Sequence, residues 1–167
     1  MKLQIQKLDD RAIVPTYATD GSSCFDLHGI NEVCLYPGQR VLIDTGLAFN
    51  IPKGFEIQIR PRSGMAIKYG ITVLNAPGTV DSDYTGSVKV VLINHGKGVL
   101  KIEEGDRVAQ AVVAMVSDQT QFELVETIDK STSRGDGGFG HTGVKSLQTL
   151  RQLDSTRPQD WINPTHR

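Results

Sequence analysis

The chain predicts an all-β sandwich or barrel. Three observations carry this: short β-rich runs recur along its 167 residues, Gly and Pro punctuate them, and no long amphipathic helix interrupts them before residue 131. No internal repeat is visible, and the length fits one domain able to bury a core without disulfides or metal.

Taken in order, Leu3, Ile5 and Lys7 alternate with polar neighbours and read as an edge strand. Thr16 to Leu27 begins as a polar loop and closes on apolar residues around Asp26. Tyr36-Pro-Gly-Gln39 is a turn, followed by strands at Arg40–Thr45 and Leu47–Ile51, with Gly46 between them. After Pro52-Lys-Gly54, the segment Phe55–Arg60 alternates strictly, with Phe55, Ile57 and Ile59 inward. Met65–Tyr69 is too short for an independent helix, so no more than a helical turn is expected. Val99–Ile102, the turn Glu103–Asp106 and the longer apolar strand Arg107–Val116 follow, and Phe122–Glu126 reads as the last core strand.

The central segment is Asn75–Gly86, between the β-rich runs Ile71–Leu74 and Ser87–Asn94. Pro77-Gly78 is a turn signal, because Pro presets φ and Gly supplies a positive φ, so the two runs predict a hairpin. Beyond it, Asp81 and Asp83 would share one face of a strand, with Tyr84 beside them and Val80 opposite. Carboxylates beside an aromatic plate suit a small planar ligand and a polar reaction. Alone, the segment also reads as a solvated turn.

Composition excludes several classes. A net charge of −1 offers no basic field for nucleic acid. Cys24 and Cys34 lack metal or redox spacing and predict reduced thiols in a cytoplasmic protein. His28, His95, His141 and His166 lie too far apart for a dedicated metal cage. Residues 1–10 lack the apolar core of a signal peptide, and no run approaches a membrane span.

From about Ser131 the chain changes character. Ser131–Gly143 is rich in Gly, carries Arg134, Asp136 and Phe139, and has almost no core formers. Composition alone describes a linker, although Gly amides and Arg suit phosphate oxygens. Beyond it, Leu147, Leu150 and Leu153 fall at helical spacing, and Trp161 could anchor a partner or pack on the body.

Five segments together resemble the homotrimeric dUTPases, deoxyuridine triphosphate nucleotidohydrolases. They are Ala18-Thr-Asp-Gly-Ser-Ser-Cys-Phe-Asp-Leu27, Pro61-Arg-Ser-Gly-Met-Ala66, Asn75 with Gly78-Thr-Val-Asp-Ser-Asp-Tyr-Thr-Gly86, Gly105-Asp-Arg-Val-Ala-Gln110, and Arg134-Gly-Asp-Gly-Gly-Phe-Gly-His-Thr-Gly143. The resemblance implies a jelly-roll-like β-clip barrel over residues 1–130, a lid arm over 131–143 and an additional tail over 144–167.

The resemblance also implies roles. Asp81 would orient and deprotonate the water that attacks the α-phosphate of dUTP, giving dUMP and pyrophosphate. Aspartate is a weak base, so positioning of the water must carry much of the catalysis. Asn75 with Gly78, Thr79 and Val80 would read uracil, Tyr84 would lie under the deoxyribose, and Lys89 completes that set. Arg62, Ser63, Gly64 and Gln110 would hold phosphates, with Asp106 buttressing an arginine. Asp26 would hold Mg²⁺ through water. In the arm, Arg134 would meet the γ-phosphate, Phe139 would stack on uracil, and Gly137, Gly138, Gly140, His141 and Thr142 would close on the phosphates. Active sites shared between the subunits of a trimer follow from the same resemblance. Cys24-Phe25 depart from the usual first segment, beside Asp26.

Two further functions share these features. A dCTP deaminase, or a bifunctional deaminase-dUTPase, would have the same fold and release ammonia from dCTP. A dUTP-responsive regulator would use residues 144–167 to bind a partner protein.

Overall fold

The computed structural model describes residues 1–117 and 120–141, so the expectations for the 144–167 tail, Trp161 and Thr142 lie outside the described residues. The chain divides into two compact units, Met1–Thr120 and Gln121–Arg167.

The first unit is built from antiparallel strands: β1 (Gln4–Lys7), β2 (Phe25–His28), β3 (Val33–Leu35), β4 (Arg40–Asp44), β5 (Leu47–Asn50), β6 (Phe55–Arg60), β7 (Ile71–Val73), β8 (Gly78–Val80), β9 (Lys89–Asn94), β10 (Leu100–Ile102) and β11 (Arg107–Met115). One helix, α1 (Ser63–Tyr69), interrupts them. The strands form a four-stranded sheet in the order β2-β11-β6-β8, a three-stranded sheet β4-β9-β7, and the pairs β1-β5 and β3-β10. The architecture is jelly-roll-like, as expected from the sequence.

Period-two burial explains how the sheets enclose one core. On β6, Ile57 and Ile59 are buried while Arg60 is exposed; on β9, Val90 and Leu92 point inward with Asn94. Leu27, Val80, Ala109 and Ala111 from the larger sheet join Ile43, Ile71 and Val73 from the other in the same cluster. Asn94 is a buried polar exception. Its Nδ2 donates to the carbonyls of Leu35 (2.8 Å) and Gly98 (2.9 Å), and its Oδ1 accepts from Gly96 N (2.8 Å). It therefore closes the end of β9 against two loops without leaving an unpaired amide.

Helix α1 is longer than the single turn expected, although none of its residues is buried. Its end is defined by Gly70 at φ 71°, whose N–H donates to Ala66 O at 3.0 Å, a left-handed cap that glycine adopts without strain.

Three expectations need correction. Pro77-Gly78 is not the tight turn of a hairpin. β7 does pair with β9, from Ile71 opposite Asn94 to Val73 opposite Leu92, but Gly78 has no positive φ and starts β8, which pairs with β6 in the other sheet. Asp81 and Asp83 share no strand face, because β8 ends at Val80 and Tyr84 N donates to Asp81 O (3.2 Å) across a turn. Phe122–Glu126 forms no strand: Phe122 is 96% and Leu124 100% exposed. Alternation supplies a potential sheet face, but a strand also needs a partner ladder, and this segment finds none among the described residues.

Candidate active site

The candidate residues fall into three places. A cavity of about 640 Å³ in the first unit is lined by Asp26, Arg62, Ser63, Gly64 and Gln110, together with Ser22, Cys24 and Arg107. Asp26 comes from β2 and Gln110 from β11, directly opposite each other in the ladder. Arg62 and Ser63 enter at the turn from β6 into α1. Gln110 Nε2 donates to Pro61 O at 2.8 Å, which fixes that turn against the sheet.

Two arginines of this cavity converge on Asp26. Arg62 Nε lies 2.9 Å from Asp26 Oδ1, and Arg107 Nη1 lies 3.6 Å from Asp26 Oδ2. Arg62 Nη1 also donates to the Arg107 carbonyl at 3.3 Å. The sequence reading missed Arg107, although it stands inside the Gly105–Gln110 segment. His28, across the ladder from Arg107, has a buried Nδ1 with no hydrogen-bond partner. Burial lowers the His28 pKa; Asp26 opposes that shift, and Arg107 and Arg62 add to it. Among the described residues Asp106 makes no ion pair with an arginine: its carboxylate accepts from Glu103 N at 2.8 Å and so closes the turn before β11.

A second cavity, about 200 Å³, is lined by Asn75, Gly78, Thr79, Val80, Asp81, Tyr84, Ser87 and Lys89 over an apolar floor that includes Ile59 and Val91. Here the backbone comes close to side chains. A Cβ on Gly78 would stand 3.3 Å from Asn75 Nδ2 and 3.4 Å from Ile59 Cβ, and one on Gly86 would stand 2.7 Å from the Tyr84 hydroxyl oxygen. Tyr84 therefore packs closely against the Gly86 backbone, and its hydroxyl donates to Ser87 O at 2.9 Å. A small slot with an apolar floor, backbone edges, one amide side chain and a carboxylate among its walls suits a planar heterocycle joined to a reacting group.

Asp26 and the Gly78–Val80 wall lie on the two opposite edge strands of one sheet. β2 carries Asp26 and β8 carries Gly78–Val80, with β11 and β6 between them. Three interstrand steps of ~4.8 Å separate these strands by roughly 14 Å.

The third place lies in the second unit. Arg134, Gly138, Phe139, Gly140 and His141 surround a hollow of about 490 Å³. The segment folds on itself: Arg134 Nε donates to Gly137 O (2.9 Å), Gly137 N to Arg134 O (3.0 Å), and His141 N to Gly138 O (3.0 Å). Phe139 is fully exposed at a positive φ of 49°. The Gly-rich composition that reads as a linker thus forms consecutive tight turns.

Among the described residues, no group of three or more His, Cys, Asp or Glu side chains could hold a metal ion. Asp26 offers one hard oxygen donor beside a cationic cavity. That fits an ion carried mainly by phosphates and water, and does not fit a protein cage. Cys24 and Cys34 are free thiols, and no helix among the described residues is long and apolar enough to cross a membrane.

With this geometry in hand, the chain matches the dUTPase family over residues 10–143. It is 55% identical over 144 residues to the deoxyuridine 5'-triphosphate nucleotidohydrolase of Nautilia profundicola, covering 86% of this chain and 99% of that protein. Among solved structures it resembles the dUTPase of Staphylococcus bacteriophage 80alpha bound to dUpNHpp, with a TM-score of 0.80, 24% identity and coverage of 86% and 99%. It also resembles a point mutant of the dUTPase from phage phi11 of S. aureus, a structure that shows the coordination of a structural Mg(II) ion, with a TM-score of 0.71, 22% identity and coverage of 76% and 98%.

Proposed function

The chain belongs to the dUTPase family and is a dUTP diphosphatase, and from that premise we propose how its residues divide the work of converting dUTP to dUMP and pyrophosphate. The observation that carries the assignment is the smaller cavity, where a slot of nucleobase size ends at the carboxylate of Asp81.

In this reading Asn75 and the Gly78–Val80 backbone read the uracil edge, and the close wall at Gly78 leaves no room for a methyl at C5. Tyr84 lies against the deoxyribose, where a 2′-hydroxyl would overlap the ring; Lys89 borders the same slot. Asp81 orients a water toward the α-phosphate and accepts its proton. Arg62, Ser63, Gly64 and Gln110 take the phosphates, with Arg107 added to the set. Asp26 would hold Mg²⁺ through water, and the ion would supply charge neutralisation for the triphosphate. Residues 131–143 act as a lid on an active site: Arg134 meets the γ-phosphate, Phe139 covers the base, and Gly137, Gly138, Gly140, His141 and Thr142 close on the phosphates.

We further propose a homotrimer with shared sites in the cytoplasm. The separation of the two cavities supports sharing. Arg62 stands five residues beyond Ile57, the ladder partner of Val80, so roughly 16 Å of strand separates it from Asp81 of the same chain, whereas a neighbouring copy could bring the two cavities together.

The test is pyrophosphate release from dUTP, UTP, dTTP and dCTP in Mg²⁺, with wild type beside Asp81→Asn. The expected result is release from dUTP alone, reduced about 10²- to 10⁴-fold in the variant, the range for loss of a positioned base. Activity that survived the substitution would overturn the role of Asp81. Ammonia released from dCTP would favour the deaminase reading instead.

A further inference from the structure

The corner that joins β4 to β5 has no role in the assignments above, yet it grips the wall of the nucleoside cavity. Ser87 Oγ donates to Asp44 Oδ1. Thr45 donates twice to the Val88 carbonyl, from N (3.2 Å) and from Oγ1 (2.7 Å), and Val88 N donates to Leu47 O (2.8 Å). Lys89 Nζ lies 3.5 Å from Asp44 Oδ2. Thr45 is fully buried, so its bonds to the Val88 carbonyl are shielded from water.

Asp44 is itself locked. Its Oδ1 also accepts from Gly46 N (2.8 Å), and its own N donates to Asn31 Oδ1 (2.8 Å). Burial opposes its charge, but the Ser87 hydroxyl, the Gly46 amide and Lys89 prevail, and its pKa is lowered. A hydrogen-bonded carboxylate with a fixed rotamer is a rigid anchor for the residue that leans on it.

Ser87 in turn carries the acceptor for Tyr84, whose hydroxyl donates to the Ser87 carbonyl at 2.9 Å. The connection runs from Asp44 through the Ser87 side chain and peptide to the Tyr84 ring. We propose that Asp44 is a positioning residue for sugar discrimination: by holding Ser87 it fixes the Tyr84 ring against which a ribose 2′-hydroxyl would clash. This rests on the reading that the protein hydrolyses dUTP with Tyr84 at the sugar. Rejection by overlap depends on a wall that does not yield, so loosening the wall admits UTP more than it harms dUTP.

The experiment measures kcat/KM for dUTP and for UTP in wild type, Asp44→Ala, Asp44→Asn, Ser87→Ala, Tyr84→Phe and the combined Asp44→Ala/Tyr84→Phe chain. The dUTP/UTP preference should fall about tenfold in Asp44→Ala and in Tyr84→Phe, on the scale of a lost close-packing contact. The combined variant should fall no further than the larger single change, because both cut one connection. Asp44→Asn keeps an oxygen for Ser87 Oγ and should retain most of the preference. Ser87→Ala removes only the hydroxyl, and provides the same test if Asp44→Ala does not fold. Equal losses for both nucleotides, additive losses in the combined variant, or a loss in Asp44→Asn as large as in Asp44→Ala would overturn the proposal. A wild type that prefers dUTP while every variant keeps that preference would sink the positioning role alone. A wild type with no preference would sink the dUTP reading as well.

Discussion

Arg62 Nε lies 2.9 Å from Asp26 Oδ1, so the residue proposed for phosphate and the residue proposed for Mg²⁺ hold each other. Arg107 approaches the other oxygen of the same carboxylate at 3.6 Å. The carboxylate thus occupies the place between two guanidinium groups that a phosphate would take. Both members of the closer pair are largely withdrawn from solvent, at 28% and 20% side-chain exposure, so their attraction is less screened than at an open surface.

From this pairing follows a prediction about anion affinity without metal. Asp26→Asn removes the competing charge and leaves Arg62 and Arg107 free for phosphate. In chelator, pyrophosphate should bind the variant about tenfold more tightly than wild type, the equivalent of ~1.4 kcal/mol. Calorimetric titration reads this directly. Equal affinity would mean that the arginines do not exchange Asp26 for phosphate.

The approach of backbone to side chain at Gly78 predicts a selective loss of substrate binding. A Cβ there would press on Asn75 Nδ2 at 3.3 Å and Ile59 Cβ at 3.4 Å, with no backbone strain because φ is not positive. Overpacking of this kind costs about 1–3 kcal/mol where neighbours cannot move. Asn75 is exposed and can move, whereas Ile59 is in the core. Gly78→Ala should therefore shift Asn75 rather than unfold the sheet, raising KM for dUTP roughly tenfold while the melting temperature stays within a few degrees. Steady-state kinetics and a thermal melt together check it.

Much of this was legible in the sequence because it is local. The alternation of Phe55–Arg60 named the inward residues Ile57 and Ile59, and the five segments hold Asp26, Arg62 and Gln110 of one cavity and Asn75, Gly78 and Asp81 of the other. What stayed hidden depends on long-range pairing. Nothing near Pro77-Gly78 says that Gly78 will leave its neighbours and join β6 in another sheet. Nothing near Asp44 says that its carboxylate will meet Ser87, 43 residues away. The polar corner Asp44-Thr45 between two apolar strands was a readable anomaly, since a buried threonine requires a partner. Phe122–Glu126 fails for the opposite reason: its pattern is right, and its partner is absent from the described residues.

Asn94 predicts a large stability effect away from the cavities. It is fully buried and satisfies two carbonyls and one amide. Asn94→Ala leaves those backbone groups buried without partners, at about 1–3 kcal/mol for each group that water cannot reach. A total near 3 kcal/mol lowers the melting temperature by about 6–12 °C for a chain of this size. Calorimetry should show that drop; a change below about 2 °C, less than ~1 kcal/mol on the same scale, would mean that water replaces the amide.

The last prediction concerns acid. Asp44 has a folded pKa below the ordinary aspartate value of ~3.9, because the Ser87 hydroxyl, the Gly46 amide and Lys89 outweigh the cost of burial. A depressed carboxyl pKa contributes stability that is fully present above the unfolded value and is lost as pH falls through the folded one. Asp44→Asn has no such titration. Urea midpoints of wild type and variant should therefore differ by a constant amount from neutral pH down to about pH 5 and converge below about pH 4. Asp9, drawn to about 2 by the hydrogen bonds of Arg11, titrates in both proteins and cancels from the difference. A difference that stays constant down to about pH 3 would place the Asp44 contribution in packing and not in charge.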